Sequence, residues 1–438
     1  MVPNPKHEDS LDEVLKNSWA RIGINNDSLI AKERLIHWNA AILESFLLKI
    51  VDNRLSDSPE SAYLEIFEPS EEDKVLSFSE PLSEKVMFPE GAYREDYYGV
   101  SSDAVIATDA RLELLEYVAC IASKYNDVPF HNFDHASHVT MSASKLLNKV
   151  CASYEDDEED VARVAARTFG ISADPLAQFV VVFSSLVHDV EHQGVPNAIL
   201  VKERDPLAIK YKDRSVAEKR SINIAWDILM EDRFTTLRSL IFVNSDEMRR
   251  FKQLLLNTVL ATDIADKERS KIGKARWQRA FHPEDMDQEE VEKLDEVSLR
   301  SLKATLTFEQ IMQASDVAHT MQHWQTFLKW NRRLYKELSK GYSEGRGTFD
   351  PRNGWYKGEI GFFDFYIIPL AKKLKDCGVF GSAATEYLDH ALEIRRRWEE
   401  EGEFGAVRGH HEGVVMRMNI NNGNLSEDFV LRFELPWL

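Results

Sequence analysis

Apolar residues recur at three- and four-residue spacing along much of this chain, which is the period of helices that bury one face. The first such stretch covers residues 31–54. Its apolar positions on one helix face are Leu35, Trp38, Ile42, Phe46 and Ile50. The pattern therefore predicts an amphipathic helix near the start of the chain.

Helical patterns follow one another from Asp109 onward, with few signals of β-strands. The predicted helical segments read DARLELLEYVACIASKY, DHASHVTMSASKLLNKV, PLAQFVVVFSSLVHDVEH, SVAEKRSINIAWDILME, DEMRRFKQLLLNTVLATDI, TFEQIMQASDVAHTMQHWQTFLKWNRRLYKEL and ATEYLDHALEIRRRWEEEG. The fold class is therefore predicted to be all-α.

Several stretches lack this period. Residues 55–102 mix proline, serine and acidic residues, which indicates a linker that wraps around the domain or extends away from it. Residues 153–164 and 281–296 are acidic and are predicted to be solvated inserts between helices. After Gly405 the helical period is lost, and the pattern predicts no particular structure for the tail.

The balance of charges narrows the range of partners. The chain has 438 residues and a formal net charge of −20, with an isoelectric point of about 5.2. An acidic surface repels both a nucleic-acid backbone and an anionic membrane, so neither is expected as a partner. An anionic substrate would therefore need a local source of positive charge.

The cysteines and the apolar runs favour a soluble, cytoplasmic protein. The chain has three cysteines without C-x-x-C spacing, which indicates neither a disulfide framework nor a thiolate zinc site. The longest apolar run, residues 179–187, is about half as long as a membrane-spanning helix must be. The N-terminal residues have no signal-peptide core.

Histidines concentrate in two short motifs. The decapeptide FHNFDHASHV holds His131, His135 and His138, which would share one face of a helix. The second motif, LVHDVEHQG, places His188 at the end of an apolar segment and His192 one helical turn later. A single histidine in such a place is more often a hydrogen-bonded core residue than a ligand. We interpret His138 in that way.

Two aspartates could form a metal site together with these histidines. Asp189 follows an apolar segment, and Asp316 ends another beside small residues. A buried carboxylate is costly without a partner, and a divalent cation would provide one. One histidine of the first motif, His188 and the two aspartates form a nitrogen and oxygen set that suits Zn²⁺ or another first-row metal. The carboxylates could also reach a second, harder ion such as Mg²⁺ or Mn²⁺.

The order His, His-Asp, Asp on separate helices is the pattern of metal-dependent phosphohydrolases of the HD superfamily. In addition, FHNFDHASHV, LVHDVEHQGVPN, YKDRSVAE, LATDI, ASDVAH and GEIGFFDFYIIPL occur in one order along the chain. In order and rough spacing they resemble the catalytic domain of class I 3′,5′-cyclic nucleotide phosphodiesterases. The resemblance covers residues 105–405. Residues 1–104 would then be an N-terminal amphipathic helix with an acidic linker, and residues 406–438 a tail of unknown structure.

Among such domains, this one is most similar to those of microbial eukaryotes, which are often fused behind a membrane-bound nucleotide cyclase. If this likeness extends to the whole protein, the chain is part of a longer protein at the cytosolic face of a membrane. Its N-terminal segment would be the connection to the cyclase. No direct membrane contact of the chain itself is expected.

The resemblance implies a compact multi-helix catalytic domain with a metal site at the bottom of a deep pocket. The family's ligands of a first cation, zinc, are matched by His135, His188, Asp189 and Asp316. Asp189 would also reach a second cation, magnesium, with manganese as the alternative. The implied reaction converts cyclic AMP or cyclic GMP to the 5′-monophosphate. A hydroxide that bridges the cations would break the 3′ phosphoester bond and so end cyclic nucleotide signals.

Other positions match residues with further roles in the family. His131 matches the general acid that protonates the leaving ribose O3′. The groups that orient ligands and waters are matched by His192, Glu218, Thr262 and Asp263. Phe362 matches the aromatic residue that stacks on the purine, opposite an apolar residue near Leu328. His319 matches a position beside the pocket, whereas Phe363 and Phe365 are predicted to be ordinary helix core.

The sequence departs from the family pattern at a few positions. Glu359 replaces the glutamine that binds the purine edge, and Thr320 replaces a proline. Arg220 and Ser221 replace a pair of histidines. None of these changes removes a metal ligand or the general acid, so hydrolysis is expected to survive.

Glu359 bears on the choice between the two cyclic nucleotides. An ionised glutamate only accepts hydrogen bonds, so it suits the N1–H and N2–H₂ groups of guanine but faces the N1 lone pair of adenine. This predicts a preference for cyclic GMP. Pairing of Glu359 with Lys357, or its protonation, would instead allow cyclic AMP to bind as well.

Two other functions are compatible with parts of the pattern. A degenerate domain could bind a cyclic nucleotide and regulate an attached module without hydrolysis, but the complete set of motif residues argues against it. Another HD-type phosphohydrolase could act on nucleoside polyphosphates. Such substrates call for clamps rich in lysine and arginine, which the motif segments lack.

Overall fold

The structure is a computed structural model. It describes residues 26–57, 67–71, 74–76, 78, 83–87, 105–152, 165–285, 295–347, 349–381 and 384–408. These residues form helices and connecting segments without β-strands, which confirms the all-α prediction. The acidic insert 153–164, most of the insert 281–296 and the tail beyond residue 408 lie outside the described residues.

The α-helices are numbered in chain order. They are α1 (Asn26–Asp57), α2 (Thr108–Lys124), α3 (Phe133–Ala152), α4 (Pro175–Val187), α5 (Asn197–Glu203), α6 (Pro206–Lys210), α7 (Val216–Leu229), α8 (Thr235–Ile241), α9 (Ser245–Leu260), α10 (Lys267–Phe281), α11 (Glu296–Asp316), α12 (Trp324–Ser343), α13 (Trp355–Phe362), α14 (Ile368–Asp376) and α15 (Ala384–Arg408). Short 3₁₀ turns cover Ile171–Ala173, Asp232–Phe234, Pro283–Asp285 and Ala318–Met321, and one π-helical segment covers Phe363–Ile367. No helix within the described ranges is long and apolar enough to cross a membrane.

The chain divides into two structural units. The first contains the described residues up to Asp127 together with His131–His192 and Ser215–Asp316. The second contains Val128–Phe130, Gln193–Arg214 and the described residues from Val317 onward.

Helix α4 lies at the centre of the first unit. Every one of its residues is buried, and it packs against α1, α3, α9 and α11. Its start is defined by Asp174, whose carboxylate accepts a hydrogen bond from the Ala177 amide at 3.0 Å, followed by a proline in the first turn. Phe183 stacks on Tyr117 and meets Phe251 edge-on, with ring centroids 5.5 and 5.3 Å apart. The continuous apolar sequence of α4 thus supplies the core.

Helix α1 confirms the predicted amphipathic helix, with Phe46 and Ile50 of the predicted face buried, but its buried face is shifted away from Trp38. Its buried apolar residues are Ile36, Ala40, Leu43, Phe46, Leu47 and Ile50. Trp38, which the spacing assigned to the buried face, is 44% exposed. The helix packs on α2, α3 and α4, and the buried Asn39 amide donates to the Ser137 hydroxyl of α3 at 2.8 Å. That polar contact turns the buried face away from Trp38.

The described parts of the predicted linker lie along the helices of the first unit. The Trp226 indole donates to the backbone oxygen of Lys74 at 2.7 Å. Val86 is buried, and its amide donates to the Thr305 hydroxyl at 2.9 Å. Between these two stretches, the backbone oxygen of Ser83 accepts from the Asn257 amide at 2.9 Å. Of the two predicted possibilities, these stretches follow the first and wrap around the unit.

Some helix boundaries differ from the predicted segments. The segment predicted over residues 307–338 is broken, because α11 ends at Asp316 and α12 begins at Trp324. Apolar positions on both sides of the break are buried, so the hydrophobic period continues across it and hides the interruption. Helix α10 was missed because its sequence is mostly polar, with Trp277 and Ala280 as its buried residues.

The second unit is built around the aromatic residues of α12, α15 and the π-helical segment. The Phe327 ring meets Phe363 and Trp398 edge-on, with centroids 5.6 and 5.5 Å apart. The π-helical segment precedes Pro369, which lacks the amide hydrogen that would continue a regular helix. This local widening sets the direction of the residues between α13 and α14.

We predict that Phe46→Ala lowers the free energy of unfolding by about 3–5 kcal/mol, because it empties a fully buried position on α1. Trp38→Ala is the matched control on the same helix, and we expect it to cost less than about 1 kcal/mol. Urea unfolding of both variants would measure the difference. A larger loss for Trp38→Ala would show that Trp38 contributes more to the packing of α1 than Phe46 does.

Candidate active site

Three packed helices of the first unit bring the predicted metal ligands together. His135 lies in the first turn of α3, His188 and Asp189 directly follow α4, and Asp316 is the last residue of α11. These three helices pack against one another. The start of α3 is set by Asn132, whose side-chain oxygen accepts from the amides of Asp134 and His135 at 3.0 and 3.2 Å. Helix ends that are distant in the sequence therefore meet, and His135 and Asp316 are 181 positions apart.

The ligand atoms of these residues form one compact cluster. His135 Nε2 lies 3.0 Å from Asp316 Oδ1 and 3.7 Å from Asp189 Oδ2. His188 Nε2 lies 3.1 Å from Asp189 Oδ2 and 3.5 Å from Asp316 Oδ1. Ligands about 2.0–2.2 Å from one ion are separated by roughly 3.0–3.6 Å, a range that contains three of these four distances and ends just short of the fourth. The cluster is therefore of the size that holds a single cation.

The hydrogen bonding within the cluster fits a cation as well. The Nδ1 atom of His188 faces the backbone oxygen of Ser185 at 2.9 Å, which favours the proton on Nδ1 and leaves the Nε2 lone pair for the cluster. His188 Nε2 and Asp189 Oδ2 are buried and make no hydrogen bond within the described residues. Buried polar atoms in that state call for another partner. Two imidazole nitrogens and two carboxylates are the donor set of a first-row metal.

Burial and mutual charge set the protonation of the cluster. Burial lowers the pKa of His135 despite the nearby carboxylate of Asp316. Burial also disfavours a charged His188, but Asp189 and Asp316 outweigh it and raise the pKa of His188 well above its usual value. Burial would raise the pKa of both carboxyl groups, yet the adjacent histidines hold both pKa values below the usual range. The two aspartates therefore stay ionised inside the fold.

His131 and His192 lie next to this cluster, but neither occupies the helical position that the sequence suggested. Helix α3 begins at Phe133, so His131 precedes it. Helix α4 ends at Val187, so His192 sits in a turn instead of one helical turn beyond His188. The two rings lie against each other with centroids 3.9 Å apart, and both lower the pKa of Asp189, after the larger effects of burial and His188. His138 is half-buried and lies outside the cluster.

The remaining predicted positions of the first unit lie at helix ends. Glu218 is in the first turn of α7, and Thr262 and Asp263 follow α9. Asp263 is buried and accepts a hydrogen bond from the Ser215 hydroxyl at 2.7 Å. Since Ser215 is the residue before α7, this bond ties the start of α7 to the end of α9. Burial raises the pKa of Asp263, and the Ser215 hydrogen bond opposes that shift.

Sequence reasoning missed Tyr125 and Ser215. The Tyr125 hydroxyl donates to the backbone oxygen of Leu186 at 2.7 Å, in the last turn of α4. Burial raises the pKa of Tyr125 well above its usual value, and the nearby carboxylate of Asp189 raises it further. A tyrosine at the end of a helix carries no signal of its own in a sequence. Ser215, in contrast, stands inside the quoted motif YKDRSVAE and could have been considered.

The residues predicted to bind the purine belong to the second unit. Glu359 is buried on α13, where burial raises its pKa to about 8 and a hydrogen bond from Asn331 opposes the shift. Trp355 Nε1 donates to Asn331 Oδ1 at 3.2 Å, so the Asn331 amide nitrogen is left to face Glu359. Lys357 is exposed, and the described residues contain no ion pair between it and Glu359. Glu359 is therefore mostly protonated at neutral pH. The predicted preference for cyclic GMP assumed an ionised carboxylate, so that assumption does not hold at this pH.

The aromatic positions of the second unit differ from one another. Phe362 is half-buried and stacks on Tyr366, with centroids 5.4 Å apart. Phe363 is fully buried, as predicted, whereas Phe365 is 47% exposed and is not core, because the π-helical turn directs it outward. His319 is buried. Its ring meets that of Phe130 edge-on, with the two centroids 5.6 Å apart. Leu328 is half-buried on α12.

The chain is similar to several known proteins. The family model described as 3′5′-cyclic nucleotide phosphodiesterase matches residues 130–390. The dual specificity calcium/calmodulin-dependent 3′,5′-cyclic nucleotide phosphodiesterase 1C of Mus musculus is 26% identical over 288 residues, which cover 64% of this chain and 35% of the mouse protein. The dual 3′,5′-cyclic-AMP and -GMP phosphodiesterase beta of Plasmodium falciparum is 23% identical over 60% of this chain and 21% of its own length. The chain thus spans about a third or less of these relatives.

A solved structure shows the same fold. It is the phosphodiesterase domain of the Salpingoeca rosetta rhodopsin phosphodiesterase, which matches with a TM-score of 0.51 and 20% sequence identity. The match covers 68% of this chain and 82% of that one.

Asp316→Ala tests the cluster directly. We expect the variant to lose bound divalent metal, because one of the two carboxylates that compensate a cation is removed. The loss of affinity should exceed the roughly 10- to 100-fold that removal of an outer partner costs. Metal analysis after dialysis would measure it. The control is Asp295→Ala, which removes the cap at the other end of α11, and equal metal content in the two variants would contradict the assignment.

Proposed function

The chain belongs to the 3′,5′-cyclic nucleotide phosphodiesterase family, and on that premise we propose that it hydrolyses the 3′ phosphoester bond of a cyclic purine nucleotide. The product would be the 5′-monophosphate, so the reaction ends a cyclic nucleotide signal. The observation that carries this proposal is the meeting of two histidines and two aspartates at the ends of three helices, with His131 beside them.

The four residues of the cluster, His135, His188, Asp189 and Asp316, would hold a zinc ion, and Asp189 would also reach a magnesium ion. When bound, these cations would supply a nucleophilic water near neutral pH and neutralise the phosphate charge. The aspartates contribute by staying ionised, Asn132 by holding the backbone of His135 at the start of α3, and Ser185 by fixing the His188 imidazole. The bound cations would thus provide local positive charge for an anionic substrate of this acidic chain.

His131 is proposed as the general acid. Its ring centroid lies 5.9 Å from that of His135, so it is close to the cluster without belonging to it. The ionised Asp189 favours a protonated imidazole beside it. His131 could therefore hold a proton for O3′, which is a poor leaving group unless it is protonated.

We propose orienting roles for the residues around the cluster. His192 stacks on His131 and limits the directions that its ring can take. Asp263 is linked through Ser215 to the start of α7, where Glu218 lies. Thr262 donates from its hydroxyl to the backbone oxygen of Val259 at 2.8 Å, which keeps its side chain against α9. Such partners commonly hold ligands and waters in position.

For the purine, the proposed contacts are His319, Glu359 and Phe362. A neutral Glu359 offers one O–H donor and one carbonyl acceptor, the same pair of groups as the family's glutamine. Because its proton can sit on either oxygen, the acid can match adenine or guanine without rotating. We therefore propose that both nucleotides are substrates at neutral pH. The cyclic GMP preference is expected from the ionised form of Glu359.

The chain is proposed to act as part of a larger protein. Residues 105–405 would form the catalytic domain, residues 1–104 a preceding segment, and residues 406–438 a tail. A cytoplasmic setting suits a cyclic nucleotide substrate, and fusion to a membrane-bound cyclase would place the domain at the cytosolic face. Purification of the full-length protein from its own cells would test that arrangement.

Nucleotide turnover tests the proposed function. Purified protein with Zn²⁺ and Mg²⁺ should release the 5′-monophosphate from cyclic AMP and cyclic GMP. Faster hydrolysis of a nucleoside triphosphate would favour another kind of HD phosphohydrolase. Binding of cyclic nucleotides without turnover would favour a regulatory domain.

His131→Ala should lower kcat by about 10²- to 10⁴-fold, the usual effect of losing a general acid, while metal content stays at the wild-type level. A cyclic nucleotide analogue whose leaving group needs no protonation should recover much of that loss. Steady-state kinetics on both substrates would measure this. Equal losses on the two substrates would mean that His131 does not protonate O3′.

The choice of base should depend on pH. Glu359 has a raised pKa of about 8, so it is mostly protonated at pH 7 and mostly ionised at pH 8.5. The ratio of kcat/KM for cyclic GMP over cyclic AMP should therefore rise between these values, toward the roughly five- to hundredfold that one bidentate pair provides. In Glu359→Gln the ratio should not change with pH. Parallel pH dependence in both proteins would remove Glu359 from base selection.

A further inference from the structure

We propose that Arg220 and Ser221 of α7 are positioning residues that clamp the turn between Asp189 and His192. The turn leaves the end of α4 and carries a cluster carboxylate at one end and the ring that stacks on His131 at the other. The proposal rests on the metal-dependent function above. It adds two residues that touch neither the cluster atoms nor the nucleotide.

The turn needs support because its backbone is strained. Glu191 has a φ of 60°, a left-handed conformation that is unfavourable for a residue with a Cβ atom. Its amide donates to the backbone oxygen of Lys124 at 3.1 Å, at the end of α2. The His192 amide donates to the Asp189 oxygen at 3.0 Å, so the turn closes on itself. The direction of Asp189 and His192 therefore depends on the conformation at Glu191.

Helix α7 grips this turn at two consecutive residues. The Ser221 hydroxyl lies 2.9 Å from the backbone oxygen of Val190 and 3.0 Å from that of Ala217, and can donate to either. Arg220 places both Nε and one terminal nitrogen 2.8 Å from a single carboxylate oxygen of Glu191. One contact holds the backbone before the strained residue, and the other holds the side chain of that residue. Together they restrict the rotation that would relax the turn.

The clamp affects the conformation of the turn more than the free energy of unfolding. The side chains of Arg220 and Glu191 are each 31% exposed, and ion pairs with such exposure contribute little to the free energy of unfolding. The same pair can still decide the angle at which Asp189 enters the cluster. Outer partners of this kind commonly change metal affinity by about 10- to 100-fold when they are removed.

The test uses Co²⁺ as the probe of the cluster, because its visible absorption spectrum reports the arrangement of its ligands. Arg220→Met keeps the apolar stem and removes the charged fork. We expect about 10-fold weaker Co²⁺ binding or more and a changed spectrum, with an unfolding temperature close to that of the wild type. The matched control is Arg233→Met, since Arg233 is 34% exposed and pairs with Glu116 and Glu231. The control should change neither affinity nor spectrum.

Two further variants separate a clamp from a merely structural role. Glu191→Gln should weaken Co²⁺ binding in the same direction, and combining it with Arg220→Met should add little, because both remove one contact. Ser221→Ala should weaken binding independently of the pair. Wild-type affinity and spectrum in Arg220→Met and Ser221→Ala would overturn the proposal. A lower unfolding temperature with unchanged Co²⁺ binding would overturn it too.

Failure of the clamp can be told apart from failure of the proposed function. If Asp316→Ala binds Co²⁺ as the wild type does, the cluster is not the metal site and both ideas fall. If Asp316→Ala loses Co²⁺ while Arg220→Met retains it with an unchanged spectrum, the metal site stands and the clamp is wrong.

Discussion

Two ionised carboxylates beside two imidazoles govern the rest of this structure. Asp189 is buried and Asp316 is half-buried, and the nearby histidines hold both carboxyl groups ionised. Such an arrangement is costly unless a cation completes it. The packing of α3, α4 and α11 offsets this cost, because it brings the start of α3 and the ends of α4 and α11 to the same place.

The packing of α4 explains how that cluster can be precise. The helix is buried along its whole length, so its end cannot shift without disturbing the core of the first unit. The Tyr125 hydroxyl donates to the backbone oxygen of Leu186 in the last turn of α4, and the backbone oxygen of Ser185 in the same turn faces His188 Nδ1. The turn that follows this end is then held by α7, through Arg220 and Ser221. A rigid apolar helix and a clamped polar turn together determine where Asp189 points.

Glu359 illustrates how burial changes the meaning of a residue. We propose that it takes the place of the family's glutamine, and in its ionised form its charge would favour guanine. In the second unit it is buried and faces the Asn331 amide, so its neutral form dominates near pH 7. The neutral acid then offers the same donor and acceptor as the amide it replaces. The substitution changes the charge of the ionised side chain, but the neutral side chain keeps the hydrogen-bonding groups of glutamine.

The sequence by itself determined the all-α class, most long helices and the residues that form the cluster. These features rest on local spacing and on side-chain types, which a sequence displays directly. It did not determine the buried face of α1, the end of α4 at Val187 or the protonation of Glu359. Each of those depends on contacts outside the local sequence: Asn39 of α1 donates to Ser137 of α3, α4 is buried along its whole length, and Asn331 of α12 bonds to both Trp355 and Glu359 of α13. Tertiary contacts decided them because burial is a property of the whole fold and not of a segment.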